Sequence, residues 1–405
     1  MLKFLFLFLF FFVANIQPVF AQKQNVQISS NIAIFSEKFL GLKNEYRSPA
    51  RPTTKLSIKY DLNNYSSKLA LNYNVNEKYT LDGSYLQHVS GILTYGVGAI
   101  DRHWSFSENT SLILSQNARP TKSIYLKLQD NFRYNWLPTN ANWSLDIFNG
   151  TNEGSLNNTK SMLLGARAIL SPVKGLDFEL VQTSQWGGQG YNNGISALGA
   201  ALLMDTNKGK NSNINKMAGF GISYLIPHDK IPLRIYGQAI GEDEAGSLPS
   251  CYSYLAGLEW KNARNEYPTA IGIELVDTRI KTTDHGYCGP NTMYNNSIYK
   301  YSNYETVMGA SIDTEGKSLE LFGQFQVSPK FTIQYSTKLV TINDKNWTNH
   351  RLSSNRQSGL INSLDVSWQT KNLNFNVHIF DHGIMLDKAS VKDSSGIGFS
   401  SSIIF

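Results

Sequence analysis

The chain has 405 residues, a formal net charge of +6 and only two cysteines. Mean hydropathy is −0.28, and beyond the first residues no apolar run approaches the ~20 that a spanning helix needs, which excludes a helical membrane protein. The basic residues are spread rather than clustered, so nucleic acid is not indicated.

The chain opens with Lys3, an unbroken apolar run from Phe4 to Val13, and the small-x-small triplet Val19-Phe20-Ala21. This pattern predicts a secretory signal peptide over 1–21, too short in its apolar part to be a stable span. A short N-terminal periplasmic segment is expected over 22–54, followed by one continuous unit over 55–405. A soluble unit of that length would be large for one core. A closed membrane barrel grows by adding strands and has no such limit.

From residue 55 onward the dominant period is two. Leu69, Leu71, Tyr73 and Val75 alternate with Lys68, Ala70, Asn72 and Asn74, and Leu319, Leu321, Gly323, Phe325 and Val327 alternate with Glu320, Phe322, Gln324 and Gln326. One apolar and one polar face per segment is expected of antiparallel sheet. Similar segments recur at 55–62, 79–87, 92–100, 111–116, 123–132, 143–149, 162–170, 176–185, 217–226, 231–240, 252–260, 269–278, 304–312, 331–342, 361–370 and 373–380. The last strand, GIGFSSSIIF, ends in Phe405, as outer-membrane barrels often do. Aromatics sit at strand ends, as girdles require: Tyr85, Trp143, Trp186, Tyr224, Trp260 and Trp368. The predicted fold is all-β, an antiparallel transmembrane outer-membrane barrel of about 18 strands, within a range of roughly 16–20. Phe405 would engage the barrel-assembly machinery, and a monomer is expected.

Short connections at Ser171–Gly175, Pro227–Lys230, Ser328–Lys330 and Thr370–Asn372 read as periplasmic turns, and 187–216, 279–297, 343–360 and 382–395 as long outer loops. Counting strands backwards from the C-terminus and forwards from Ser171–Gly175 disagrees by one strand between 279 and 304. A short strand near Tyr294–Tyr301 would reconcile the two counts. The run Glu242-Asp243-Glu244 then falls in an outer loop, as do Cys251 and Cys288. Export permits these cysteines to bridge; two free thiols is the other reading.

Three chemistries could use the acidic run. With Gln185, Trp186 and Tyr191 of QWGGQGYNNG, it could serve a hydroxyl-rich ligand, through aromatic faces and amide and acid hydrogen-bonders. It could hold calcium, although three consecutive acids wrap a cation poorly. It could catalyse, yet no H-E-x-x-H or G-x-S-x-G motif is present, and Asp284-His285 is adjacency rather than a dyad. No metal and no cofactor are expected.

Several stretches occur together in order: DGSYL (82–86), GAIDRHW (98–104), SLILSQNARP (111–120), LLGARAILSP (163–172), QTSQWGG (182–188), YGQAIGEDEAGSLPS (236–250) and YLAGLEW (254–260). These resemble the Wzi family of capsule-assembly outer-membrane proteins. The resemblance implies an 18-stranded barrel that holds capsular polysaccharide or exopolysaccharide at the surface of a Gram-negative cell, lectin-like rather than enzymatic. It draws Arg102, Asn117 and Arg119 beside Gln185, Trp186, Glu242, Asp243 and Glu244 as glycan-binding or polar lumen candidates. The family's N-terminal helical segment would be reduced or missing here, because few residues separate Gln22 from the first strand. The alternatives are a diffusion porin with a polar lumen and an outer-membrane hydrolase.

Overall fold

A computed structural model describes residues 26–38, 53–74, 78–132, 141–153, 160–203, 213–226, 232–245, 248–262, 267–282 and 288–405. The predicted signal peptide, 1–21, lies outside the described residues. Among the described residues no helix is long and apolar enough to cross a membrane.

The strands are β1 (Val26–Phe35), β2 (Thr53–Leu62), β3 (Tyr65–Asn74), β4 (Lys78–Thr80), β5 (Tyr85–Ser90), β6 (Leu93–Gly98), β7 (Lys122–Phe132), β8 (Ala141–Asn152), β9 (Ser161–Val173), β10 (Leu176–Trp186), β11 (Asn215–Leu225), β12 (Leu233–Ala245), β13 (Leu248–Asn262), β14 (Thr269–Asp277), β15 (Ser302–Asn303), β16 (Thr306–Val307), β17 (Lys317–Ser328), β18 (Phe331–Ile342), β19 (Gln357–Gln369), β20 (Leu373–His382) and β21 (Ser394–Ile404). One short helix, α1 (Ile195–Leu202), lies between β10 and β11. Apart from β15 and β16, which pair only with each other, the described strands form one 19-stranded antiparallel sheet. Both β4 and β5 pair along β3, at Asn72–Asn74 and Tyr65–Lys68, so together they make one interrupted strand and the barrel has 18 staves. The sheet closes where β1 pairs with β2 on one side and with β21 on the other. The predicted barrel and its strand number therefore hold.

Closure itself corrects one expectation. Val26–Phe35 is the first stave, not part of a separate periplasmic segment. Its alternation is weak because Ser29, Ser30 and Asn31 interrupt it, so a period of two does not mark it as a strand. Two further segments read as strands are not in the wall. Residues 111–116 and 304–312 fold into the lumen, with only the two-residue β15–β16 ladder near the second. Apolar residues buried on every side have no polar face, so periodicity cannot separate them from strand. Removing 304–312 from the strand list makes the two strand counts agree without an added strand at 294–301.

The wall reverses the sidedness of a soluble protein. On β10, Glu179, Thr183 and Gln185 point into the lumen and are buried, while Leu180 points outward and is 66% exposed. On β14, Glu274 is buried and Ile271, Ile273 and Leu275 are outside. On β17, Glu320 is buried while Leu319 and Leu321 face out. An apolar outer band suits hydrocarbon, and the closed ladder leaves no unpaired strand edge in it. The tight turns Asn63–Asn64, Gly91–Ile92 and Lys174–Gly175 share one end of the barrel with the end of β21. Gly175, at φ +87°, supplies the left-handed backbone that its two-residue turn requires. Trp143, Tyr224, Trp260 and Trp368 lie toward this turn end. The opposite end carries the long connections.

Candidate functional site

The lumen is filled from the loop end by two connections, 99–121 after β6 and 278–316 after β14. Their apolar residues, led by Trp104, Leu112, Ile113, Tyr294, Tyr301 and Ile312, form the main hydrophobic cluster of the molecule inside the barrel. The polar inner wall then needs partners, because buried charge without compensation is costly. The loop backbone supplies many of them.

Gln238 on β12 donates from Nε2 to the Trp104 carbonyl at 2.7 Å and to Glu179 at 2.9 Å, and accepts the Leu112 N–H on Oε1 at 2.9 Å. Arg167 on β9 donates to Glu179 at 2.5 Å and reaches the His103 and Ser105 carbonyls at 3.5 and 3.3 Å. Arg234 pairs with Glu259 at 2.6 Å and donates to the Phe106 carbonyl at 2.7 Å. Glu274 accepts from Tyr236 at 2.9 Å and from the Ser107 hydroxyl. Lys338 pairs with Glu320 at 3.0 Å within the wall. The first loop is thus bolted to β9, β12 and β14.

The second loop lies on the first. Tyr294 and Tyr301 stack at 5.8 Å between centroids and donate to the Leu112 and Ile113 carbonyls at 2.6 and 2.8 Å. These two bonds explain how an apolar tip, Leu112-Ile113, can be buried without orphaned carbonyls.

The residues singled out from the sequence belong to this framework. Arg102 is stacked over Phe148 at 3.9 Å and donates to Ser123 at 3.0 Å. Asn117 donates to the Val307 carbonyl at 2.9 Å. Arg119 pairs with Asp82 at 2.8 Å and lies over the Tyr304 ring at 3.8 Å. Gln185 donates to the Lys300 carbonyl at 2.9 Å. Trp186 is buried on the outside of the wall and donates to Asn149 at 3.1 Å. Glu242 is 5% exposed and accepts the Tyr294 N–H at 3.0 Å. The backbone of Asp243 and Glu244 pairs with Ser250 and Pro249 at the end of a strand hairpin; their side chains lie outside the described residues, as do Asp284 and His285. The acidic run therefore begins on a strand, and its first carboxylate anchors the second loop. Among the described residues no three His, Cys, Asp or Glu side chains converge as a metal site.

Cys251 and Cys288 are bridged, joining β13 to the second loop across 37 residues. Closing a loop of that length stabilises the folded chain by roughly 2–4 kcal/mol. Cys251 lies on a strand, not in a loop as expected, and both sulfurs are buried.

Above the plug a third connection, 343–356, closes over the second. Arg351 clamps Asp313, donating from Nε at 2.7 Å, and reaches the Tyr294 carbonyl at 3.2 Å. Burial pushes the Asp313 carboxyl up, but the Arg351 guanidinium and its hydrogen bonds outweigh burial and hold it below the usual carboxylate value. His350 accepts the Leu352 and Ser353 N–H groups on Nδ1 at 3.1 and 3.4 Å, which assigns the proton to Nε2, 3.0 Å from the Thr314 carbonyl. Burial lowers its pKa despite Asp313. A histidine with a depressed folded pKa takes up more protons when its loop opens, so closure weakens as pH falls below its ordinary value of 6.5. Asp313 acts only further down, below 3.8. Limited proteolysis at pH 7.5 and pH 5 should therefore show faster cleavage within 343–356 at the lower pH, and the His350→Gln variant should show no such difference.

Among the accessible side chains at this end are Tyr191, Lys300 and Trp347, one from each of three loops. Tyr191 meets Tyr299 at 5.7 Å, Lys300 follows in sequence, and the Lys300 ammonium lies over the Trp347 ring at 5.4 Å. Tyr191 is exposed, and Lys300 and Trp347 are half-buried. Tyr191 stood in a motif already noted in the sequence. Lys300 and Trp347 did not, because nothing local marks two residues from different loops as neighbours.

A model of the family described as "Capsule assembly protein Wzi" matches residues 12–379. An uncharacterized 55.8 kDa protein in the cps region of Klebsiella pneumoniae is 28% identical over 191 residues, 45% of this chain and 37% of that protein. The match thus spans well under half of the relative. The solved structure of Wzi, described as an outer membrane protein involved in group 1 capsule assembly in Escherichia coli and as a carbohydrate-binding β-barrel, superposes with a TM-score of 0.75, 20% identity, and coverage of 96% of this chain and 86% of that one. OccD3 (OpdP) of Pseudomonas aeruginosa superposes at 0.52 with 11% identity, covering 95% of this chain and 91% of that one. At these identities the superpositions speak for the fold.

Proposed function

Since the chain belongs to the Wzi family of capsule-assembly proteins, we propose that this outer-membrane barrel binds capsular polysaccharide or exopolysaccharide on its loop end, which faces the cell exterior, and holds it there without cleaving it. The observation that carries the reading is the Tyr191–Lys300–Trp347 line across the closed loop end. Aromatic faces stack on the CH surfaces of sugars, and a cation between them suits the carboxylates or phosphates of an acidic glycan. The plug beneath makes this a platform rather than a channel mouth. The framework residues Arg102, Asn117, Arg119, Gln185 and Glu242 act by holding the loops that present it. Trp186 is covered from outside and is not a stacking face.

Purified protein should bind capsular polysaccharide extracted from its own strain. Changing Tyr191 and Trp347 together to Ala should weaken binding roughly tenfold while leaving the unheated barrel's fast electrophoretic mobility intact. In cells the same variant should shed polysaccharide that the wild type retains. Unchanged affinity would remove the platform from the reading. Unchanged retention in a strain lacking the whole protein would remove the attachment role and favour the porin alternative.

A further inference from the structure

The helix α1 sits on the outside of the barrel, against the face that meets lipid. Outward-pointing residues of β9 and β10, Leu164 and Trp186, pack against its Ala197 and Ala201. Its sequence, ISALGAAL, is apolar except for one serine. A short helix with so little polar surface gains nothing from water. Its last carbonyls, which have no partner within a helix, are met by the wall. Ser184 donates to the Ala201 carbonyl at 2.7 Å, Gln182 to the Leu202 carbonyl at 3.0 Å, and Lys216 to the Leu203 carbonyl just beyond. Three polar side chains on an outward face would be a defect in hydrocarbon. Here they complete a helix end, and each side satisfies the other. The pairing is what a segment lying in the bilayer requires, whereas a loop in water could cap its carbonyls with solvent.

Beside this helix is a groove of about 710 Å³. Leu198 and Leu202 of α1 form one wall, and Leu86, Val97, Ile124 and Leu126 on β5, β6 and β7 contribute to its floor. Ile124 is 64% exposed and Val97 52%, so the floor is open to whatever lies against the barrel. The groove is continuous with the lipid-facing band, and α1 stands toward the loop end.

We propose that this groove holds an acyl chain of lipopolysaccharide, the lipid of the outer leaflet, with α1 as a clasp. The occupant follows from the largely apolar lining of the groove, which opens on the lipid-facing band, and from α1, which bounds it on the side toward the loop end. The choice of leaflet rests on the outward orientation proposed above. An impermeant amine reagent on intact cells tests that orientation separately, since it should modify the exposed Lys345 and Lys388 at the loop end and spare Lys330 and Lys371 at the turn end.

The test is native mass spectrometry of barrels extracted gently in detergent from their own strain. Wild type and a control, Leu319→Trp on the far wall, should each retain one lipopolysaccharide molecule. The groove-filling variant Val97→Trp/Ile124→Trp should retain roughly tenfold less, with unheated mobility showing a closed barrel. Should that variant not fold, Leu198→Ala/Leu202→Ala removes the helix wall without touching a strand and should show the same loss. Equal retention in wild type and the folded groove variants, no retention in wild type, or a glycerophospholipid retained in place of lipopolysaccharide would each overturn the proposal.

Discussion

In a planar bilayer the purified protein should pass little current, and replacing residues 103–117 with a short Gly-Ser linker should raise conductance roughly tenfold or more. The expectation comes from where the core lies. Trp104, Leu112 and Ile113 occupy the lumen, and the second loop is seated on them through Tyr294 and Tyr301. Without the first loop those hydroxyls lose their acceptors, and Asn117 no longer holds the Val307 carbonyl. Arg167, Arg234, Glu179, Glu259 and Glu274 would then line a hydrated passage. The charges are arranged for a porin, and only the plug prevents one. A wild-type barrel that conducts steadily would show that the loops move aside in a bilayer, and the porin reading would return.

The second large effect is expected at Glu179. Its carboxylate binds Arg167 at 2.5 Å and Gln238 at 2.9 Å, and the side chain is fully buried. Glu179→Ala leaves the Arg167 guanidinium in the lumen without its carboxylate. Breaking one partner of a buried pair costs about 3–5 kcal/mol. The loss should appear as a marked fall in the temperature at which the barrel changes its gel mobility. It should also appear as intermittent conductance, because Arg167 and Gln238 are the residues that grip the His103, Trp104 and Ser105 carbonyls. The double variant Glu179→Leu/Arg167→Met removes both charges and should recover much of the stability but not the grip on the loop. If Glu179→Ala melts like wild type, water reaches this pair and the plug is looser than described.

Much of this protein was legible in its sequence. Alternation at 319–327 and 373–380 fixed which faces are apolar, because in a strand the side-chain direction is a property of parity alone. The short turns and long loops set the polarity of the barrel, and the ordered motifs between 82 and 260 pointed to the family. The same motifs left their residues open between glycan contact and polar lumen. Arg102, Asn117, Arg119, Gln185 and Glu242 are polar residues in loops or at strand ends, and such residues look like ligand contacts when nothing reveals what covers them. Only the tertiary structure decided for the lumen, and showed that Asn117, Gln185 and Glu242 bond loop backbone while Arg102 and Arg119 bond Ser123 and Asp82. It alone decided that SLILSQ is plug rather than wall, since an apolar segment carries no record of whether lipid, sheet or another loop will surround it. It also placed Lys300 against Trp347 and α1 against the outer wall, contacts that no local period encodes.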